Sequence, residues 1–105
     1  MCKHHLFTLA VWFSCVVWQS AFGDERQQKL RYLLKHDCGS CHGLTLGGGL
    51  GPSLQPEALA GKTDEMLVAA ILHGRPGTTM PPWKDLLSEK DARSLVTLMR
   101  AGEIK

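Results

Sequence analysis

Cysteine is scarce in this chain, and so are aromatic residues, strand patterns and net charge. Only four cysteines occur, and two of them, Cys2 and Cys15, lie in a leading segment that reads as an export signal. Cys38 and Cys41 remain as one close pair, too few for the disulfide framework that staples many small exported domains. The formal net charge is +2, so no strong field marks the chain for nucleic acid or for an acidic substrate. No stretch alternates apolar and polar residues in the manner of a half-buried strand, which points to an all-α domain. The dinucleotide and P-loop fingerprints are also missing. With 105 residues there is room for one domain at most.

What is present begins with the leader. Lys3, His4 and His5 form a short basic start, Leu6 to Trp18 is an almost unbroken apolar run, and Ala21-Phe22-Gly23 supplies small residues at the two positions a signal peptidase reads. The expectation is a signal peptide over residues 1–23 and a mature domain over 24–105. Retention as a membrane anchor is the alternative, and the apolar run is short of the roughly 20 residues that a spanning helix needs. Apolar Val16, Val17 and Trp18 after Cys15 argue against a lipidated cysteine. So small a domain has a thin core and needs a staple of some kind.

Three main helices are expected. Asp24 to Asp37 carries acidic residues at its start and Leu30, Leu33 and Leu34 at helical spacing, with Lys29, Arg31 and Lys35 outward and Tyr32 on the flank. The stretch 43–56 is a glycine- and proline-rich loop, and 57–60 is at most one helical turn. Thr63 reads as the N-cap of a second helix with Met66, Leu67, Ala70 and Ile71 as its apolar face, stopped by Gly74 and Pro76. A second loop, Arg75 to Trp83, is stiffened by Pro81 and Pro82. Ser88-Glu89-Lys90-Asp91 resembles a capping box and opens the last helix, which buries Leu95, Val96, Leu98 and Met99, turns Arg93 and Arg100 outward and ends at Gly102.

The chemistry lies in Cys38-Gly39-Ser40-Cys41-His42. This is C-x-x-C-H, the attachment pattern of a c-type haem. On a helical turn, residues three apart share a face, so Cys38 and Cys41 reach neighbouring vinyl groups of one ring. His42 follows directly and is placed to ligate the iron. Two rivals use the same cysteines. A thiol–disulfide motif has C-x-x-C spacing, but it usually sits on a strand–helix unit that this chain lacks. A zinc site needs four ligands, which Cys38, Cys41, His36 and His73 could just supply.

For the opposite face of the ring, Met80 in the proline-stiffened loop is the expected ligand, since His/Met ligation is common among c-type haems. His73 and His36 are the alternatives. Met66 and Met99 read as gap-filling core residues. A metal-bound histidine usually donates its other N–H to a fixed acceptor, and the Pro52 carbonyl in Gly51-Pro52-Ser53-Leu54 is the candidate for His42. Arg75 and Trp83 could contact the haem propionates or simply pack and solvate.

Taken together, Cys38-Gly39-Ser40-Cys41-His42-Gly43, Gly51-Pro52-Ser53-Leu54, Met80-Pro81-Pro82-Trp83 and Leu87-Ser88-Glu89 resemble class I cytochromes c, in that family's order. The resemblance implies three main helices around one haem c bound through Cys38 and Cys41, His42 and Met80 as axial ligands, and Pro52 as the partner of His42. The loops 44–54 and 73–83 further resemble those of small periplasmic monohaem cytochromes associated with the nitrite reductase of denitrifying bacteria. That implies a monomeric one-electron carrier, without catalytic residues, that takes electrons from an upstream donor and passes them to nitrite reductase. Lys29, Lys35, Lys62, Arg75 and Lys84 could steer such a partner. A role in maturation of the reductase's special haem is the alternative, and a ligand-binding haem protein with a labile Met80 is a third. The family often places a glycine and an aromatic where this chain has Leu30 and Leu34, and the last helix lacks an aromatic, so a wider or leucine-packed crossing of first and last helices is expected.

Overall fold

The computed structural model describes residues 23–104, and the expected signal peptide lies outside them apart from Gly23. Among the described residues there are helices and loops and no strand. The first helical stretch, α1, comprises residues 23–33, a π-helical turn over Leu34–Cys38, and Gly39–His42. It runs past the expected end at Asp37 without a break, because Leu33, Cys38 and Gly39 all keep right-handed helical dihedrals. A single turn, α2, covers Pro56–Leu59, with proline in the first-turn position where its missing N–H costs nothing. The middle helix, α3, is Asp64–His73, and the last, α4, is Glu89–Ala101.

The caps behave as their chemistry dictates. Thr63 accepts from the Met66 N–H, with Asp64 and Glu65 in the first turn against the helix dipole. At α4 the capping box is complete: Asp91 N–H donates to Ser88 Oγ at 3.1 Å, and Ser88 N–H donates to Asp91 Oδ2 at 3.0 Å. Gly102 closes α4 in the left-handed conformation, with its N–H on the Met99 carbonyl.

One core joins the helices. Leu30 and Leu34, four apart on α1, are 2% and 0% exposed and pack with Leu95, Val96, Leu98 and Met99 of α4. Leucines of α1 and apolar residues of α4 thus share one core, and two ion pairs join remote segments beside it: Arg26 with Asp91, and Arg31 with Glu103. Two expectations need correction. Met66 is 58% exposed, because α3 buries Leu67 and Val68 and half-buries Ile71 and Leu72, a stripe that leaves Met66 outside. Arg100 does not point freely outward: its guanidinium donates to Asp64 Oδ1 at 2.7 Å and to the carbonyls of Leu59 and Lys62 at 3.3 and 2.6 Å. It thereby ties the α2–α3 corner to α4.

Candidate haem site

The end of α1 delivers the C-x-x-C-H residues. Cys38 is half-buried against the core, Cys41 is exposed and His42 is half-buried. The glycine-rich loop folds straight back onto this last turn. Gly51 N–H donates to the Cys41 carbonyl and Gly48 N–H to the His42 carbonyl, each at 2.7 Å, so the loop itself satisfies carbonyls that a helix end leaves open. Gly49 N–H is taken by Gly51 O. The amides of Gly48, Gly49 and Gly51 are thus all spent on holding the loop to itself and to the helix end. Leu46, at a positive φ of 60°, plugs its side chain into the core while its carbonyl accepts from Leu54 N–H and Ser53 Oγ.

The imidazole of His42 is fixed in two ways. Its Nδ1 lies 2.7 Å from the Pro52 carbonyl. A carbonyl only accepts, so Nδ1 carries a proton, and in the neutral ring Nε2 keeps its lone pair. Gly51 supports the ring from beneath: a Cβ there would stand 2.8 Å from Cε1 and 2.9 Å from Nδ1. The part glycine plays at 51 is spatial, and no spacing rule signals it.

Met80 is half-buried in the second loop. Its loop is knotted at the base by Arg75 N–H on the Met80 carbonyl at 3.3 Å, and by Thr78, whose N–H and Oγ1 both donate to the Arg75 carbonyl. Trp83 and Lys84 N–H groups donate to the carbonyls of Ile71 and Leu72, pinning the far side of the loop to the end of α3. Gly74, at φ 69°, makes this closure possible, since a Cβ there would meet the Met80 carbonyl at 2.6 Å. Arg75 and Trp83 belong to this loop, Arg75 exposed and Trp83 half-buried against the core.

The rivals fare poorly. Burial, followed by the nearby Asp37 charge, pushes the Cys38 thiol up to about 11, the opposite of an activated redox thiolate. No group of three or more His, Cys, Asp or Glu side chains able to hold a metal ion occurs among the described residues, so the four zinc candidates are not assembled. His36 instead packs on exposed Tyr32, ring centroids 4.3 Å apart, and His73 is exposed at the end of α3. A porphyrin, by contrast, fits the donors and the surface. Two thiols and an imidazole with a free Nε2 share one helix end, and Leu33, Leu54, Ile71, Leu72 and Trp83 keep partly open apolar surface beside the core.

Covalent attachment of one haem c through Cys38 and Cys41, on an all-helical body, defines the class as a c-type cytochrome. Residues 25–99 match the family of cytochrome c oxidase, cbb3-type, subunit III. The chain is 56% identical to cytochrome c55X of Pseudomonas aeruginosa over 101 residues, covering 91% of this chain and 83% of that protein. It is 56% identical to cytochrome c55X of Stutzerimonas stutzeri over 78 residues, covering 74% of this chain and 69% of that protein. Among solved structures, the c-type cytochrome NirC superposes with a TM-score of 0.74 at 62% identity, covering 76% of this chain and 94% of that one. The chain belongs to the cytochrome c55X family of c-type cytochromes. A segment of a larger protein is also similar: the dihydro-heme d1 dehydrogenase of Pseudomonas aeruginosa is 37% identical over 67 residues, 64% of this chain but 14% of that enzyme. Among the described residues no helix is long and apolar enough to cross a membrane.

Proposed function

We propose that the protein is a periplasmic one-electron carrier whose haem iron is held between His42 and Met80 and which passes electrons to nitrite reductase in denitrification. The observation that carries this reading is the orientation of His42, whose Nδ1 is committed to Pro52 and whose Nε2 is left for a metal. The tied-down loop of Met80 supports a second, fixed ligand rather than an open site. When bound, haem c supplies one-electron chemistry at its iron. Cys38 and Cys41 would bind it covalently and His42 and Met80 would hold its iron, and the reading assigns no residue a catalytic role. The leader over residues 1–23 carries the protein out of the cytoplasm and is removed. Lys29, Lys35, Lys62, Arg75 and Lys84 are all exposed and leave their charges to a transient partner, either the upstream donor or the reductase.

The test uses the purified holoprotein. Reduced wild type leaves carbon monoxide unbound, Met80→Ala binds it, and rapid mixing with nitrite reductase oxidises the haem at a salt-dependent rate. Carbon monoxide binding by wild type overturns the Met80 assignment, and failure to exchange electrons with the reductase overturns the partner.

A second reading, assistance in maturation of the reductase's special haem, draws on the similarity to a segment of dihydro-heme d1 dehydrogenase. Deleting the gene separates the two. A fully loaded but unreduced nitrite reductase supports the carrier, and a reductase lacking its special haem supports maturation.

A further inference from the structure

The π-turn in α1 lies directly ahead of the first cysteine, and its effect can be read from burial. In an uninterrupted α-helix, a residue seven positions on returns to within about 20° of the same face. Starting from fully buried Leu34, that residue is Cys41. His42 would then lie about 80° off the core face, and Gly39 about 140° off it, toward solvent. The structure has the reverse pattern. Cys41 is exposed, His42 is half-buried and Gly39 is buried.

The cause is local. Gly39 N–H donates to the carbonyl of Leu34, five residues back, where an α-helix would reach only four. The wider turn absorbs one residue and turns everything after it back by about 100°. Gly39 thereby moves to about 40° from the core face and His42 to about 20°, while Cys41 swings about 120° away. Ser40 secures the turn, its Oγ donating to the Asp37 carbonyl at 2.7 Å. Upstream, the register is held independently, since Leu30 and Leu34 are sealed in the core and Arg26 and Arg31 are paired with Asp91 and Glu103.

We infer that the π-turn Leu34–Cys38, secured by the Ser40 hydroxyl, is the register device that turns His42 rather than Cys41 toward the interior, with Ser40 as a positioning residue for the axial histidine. The inference rests on the reading of His42 as an iron ligand. A chain one residue shorter in this turn has an α-helix available to it, but must then either pull Leu30 and Leu34 out of the core or turn His42 away from it.

Six variants of the full chain, produced in a host that attaches haem c, test this. Deleting Lys35, an exposed residue of the turn, is compared with Lys35→Ala. The deletion is expected to lower the yield of six-coordinate low-spin holoprotein by about tenfold, and Lys35→Ala to leave it unchanged. Restoring the length at another place, with an alanine inserted between Asp37 and Cys38 of the deleted chain, is expected to recover it. Ser40→Ala is expected to keep both thioether bonds but to raise the high-spin share of the ferric haem, with Ser40→Thr restoring the wild-type spectrum. A Lys35-deleted holoprotein with the native low-spin spectrum overturns the inference. If the deleted chain does not fold, Ser40→Ala decides, and a spectrum identical to wild type overturns it. His42→Ala separates the two readings: if it keeps the native low-spin spectrum, the ligand assignment has failed, and if it loses that spectrum while the deletion keeps it, the register device alone has failed.

Discussion

Gly51→Ala isolates one contact at the centre of the site. The backbone at Gly51 does not adopt the positive φ that favours glycine, so an alanine there meets no backbone penalty. Its methyl group, however, would stand 2.8 Å from Cε1 and 2.9 Å from Nδ1 of His42. The ring cannot slide aside cheaply, because the shift that clears the methyl group also stretches the 2.7 Å hydrogen bond to Pro52. Overpacking of this kind costs about 1–3 kcal/mol, and the lost hydrogen bond adds about 1 kcal/mol. A total of about 2–4 kcal/mol lowers the thermal midpoint of so small a domain on the order of 10–20 °C. Gly61→Ala is the control, since a Cβ at Gly61 meets nothing within 4 Å. Thermal unfolding of the two holoproteins, followed at the haem absorption, is the assay. If Gly51→Ala melts with Gly61→Ala and keeps the wild-type spectrum, the proposed support of His42 by the loop backbone is wrong.

Other outcomes follow from the same geometry. The Arg26 guanidinium, helped by the Ser88 N–H and hydroxyl, holds the Asp91 carboxyl at about 2, below its ordinary 3.8. Because the folded value is the lower one, this stabilisation is complete above about pH 4 and is lost as pH falls toward 2. Acid titration of Arg26→Met should therefore show a shallower loss of stability in that window, with a difference of no more than about 1 kcal/mol, because solvent screens the exposed Arg26. Arg100→Met strips three hydrogen bonds and leaves the Leu59 and Lys62 carbonyls without that donor, so denaturant unfolding should report a loss of about 2–3 kcal/mol. Gly74→Ala combines a strained φ with a clash at the Met80 carbonyl, and is expected to open the reduced haem to carbon monoxide before the core melts.

Much of the helical frame was legible because caps are local chemistry. Thr63, the Ser88–Asp91 box, Gly74 and Gly102 act within a turn of themselves, and each is found where its residue type predicts. The face of α4 was readable for a similar reason, its four expected apolar residues all being buried. What escaped depends on distance or on a broken period. Arg26 meets Asp91 across 65 positions, and Arg100 reaches back to residues near 60, neither of which leaves a mark on a helical pattern. Met66 was misplaced because both its own stripe and the one beside it are apolar, and only contact with α4 chooses between them. The π-turn is invisible for a different reason: Leu30, Leu33 and Leu34 keep ordinary spacing before it, and nothing in Lys35-His36-Asp37 announces an extra residue. At the site, Pro52 beside His42 was foreseeable from the chemistry of a ligating imidazole, whereas the steric part of Gly51 required the folded loop.

The way the glycine loop grips α1 bears on the order in which the molecule takes shape. The cysteines, the histidine, its Pro52 acceptor and the glycines that lock them all lie between residues 38 and 54, and their hydrogen bonds close within that span. Contacts so near in sequence form early, because little chain entropy is lost in closing them. A chain that emerges N-terminus first can thus shape its attachment site while the Met80 loop and α4 are still to come. The second half of the protein then folds onto a segment whose local hydrogen bonds are already made.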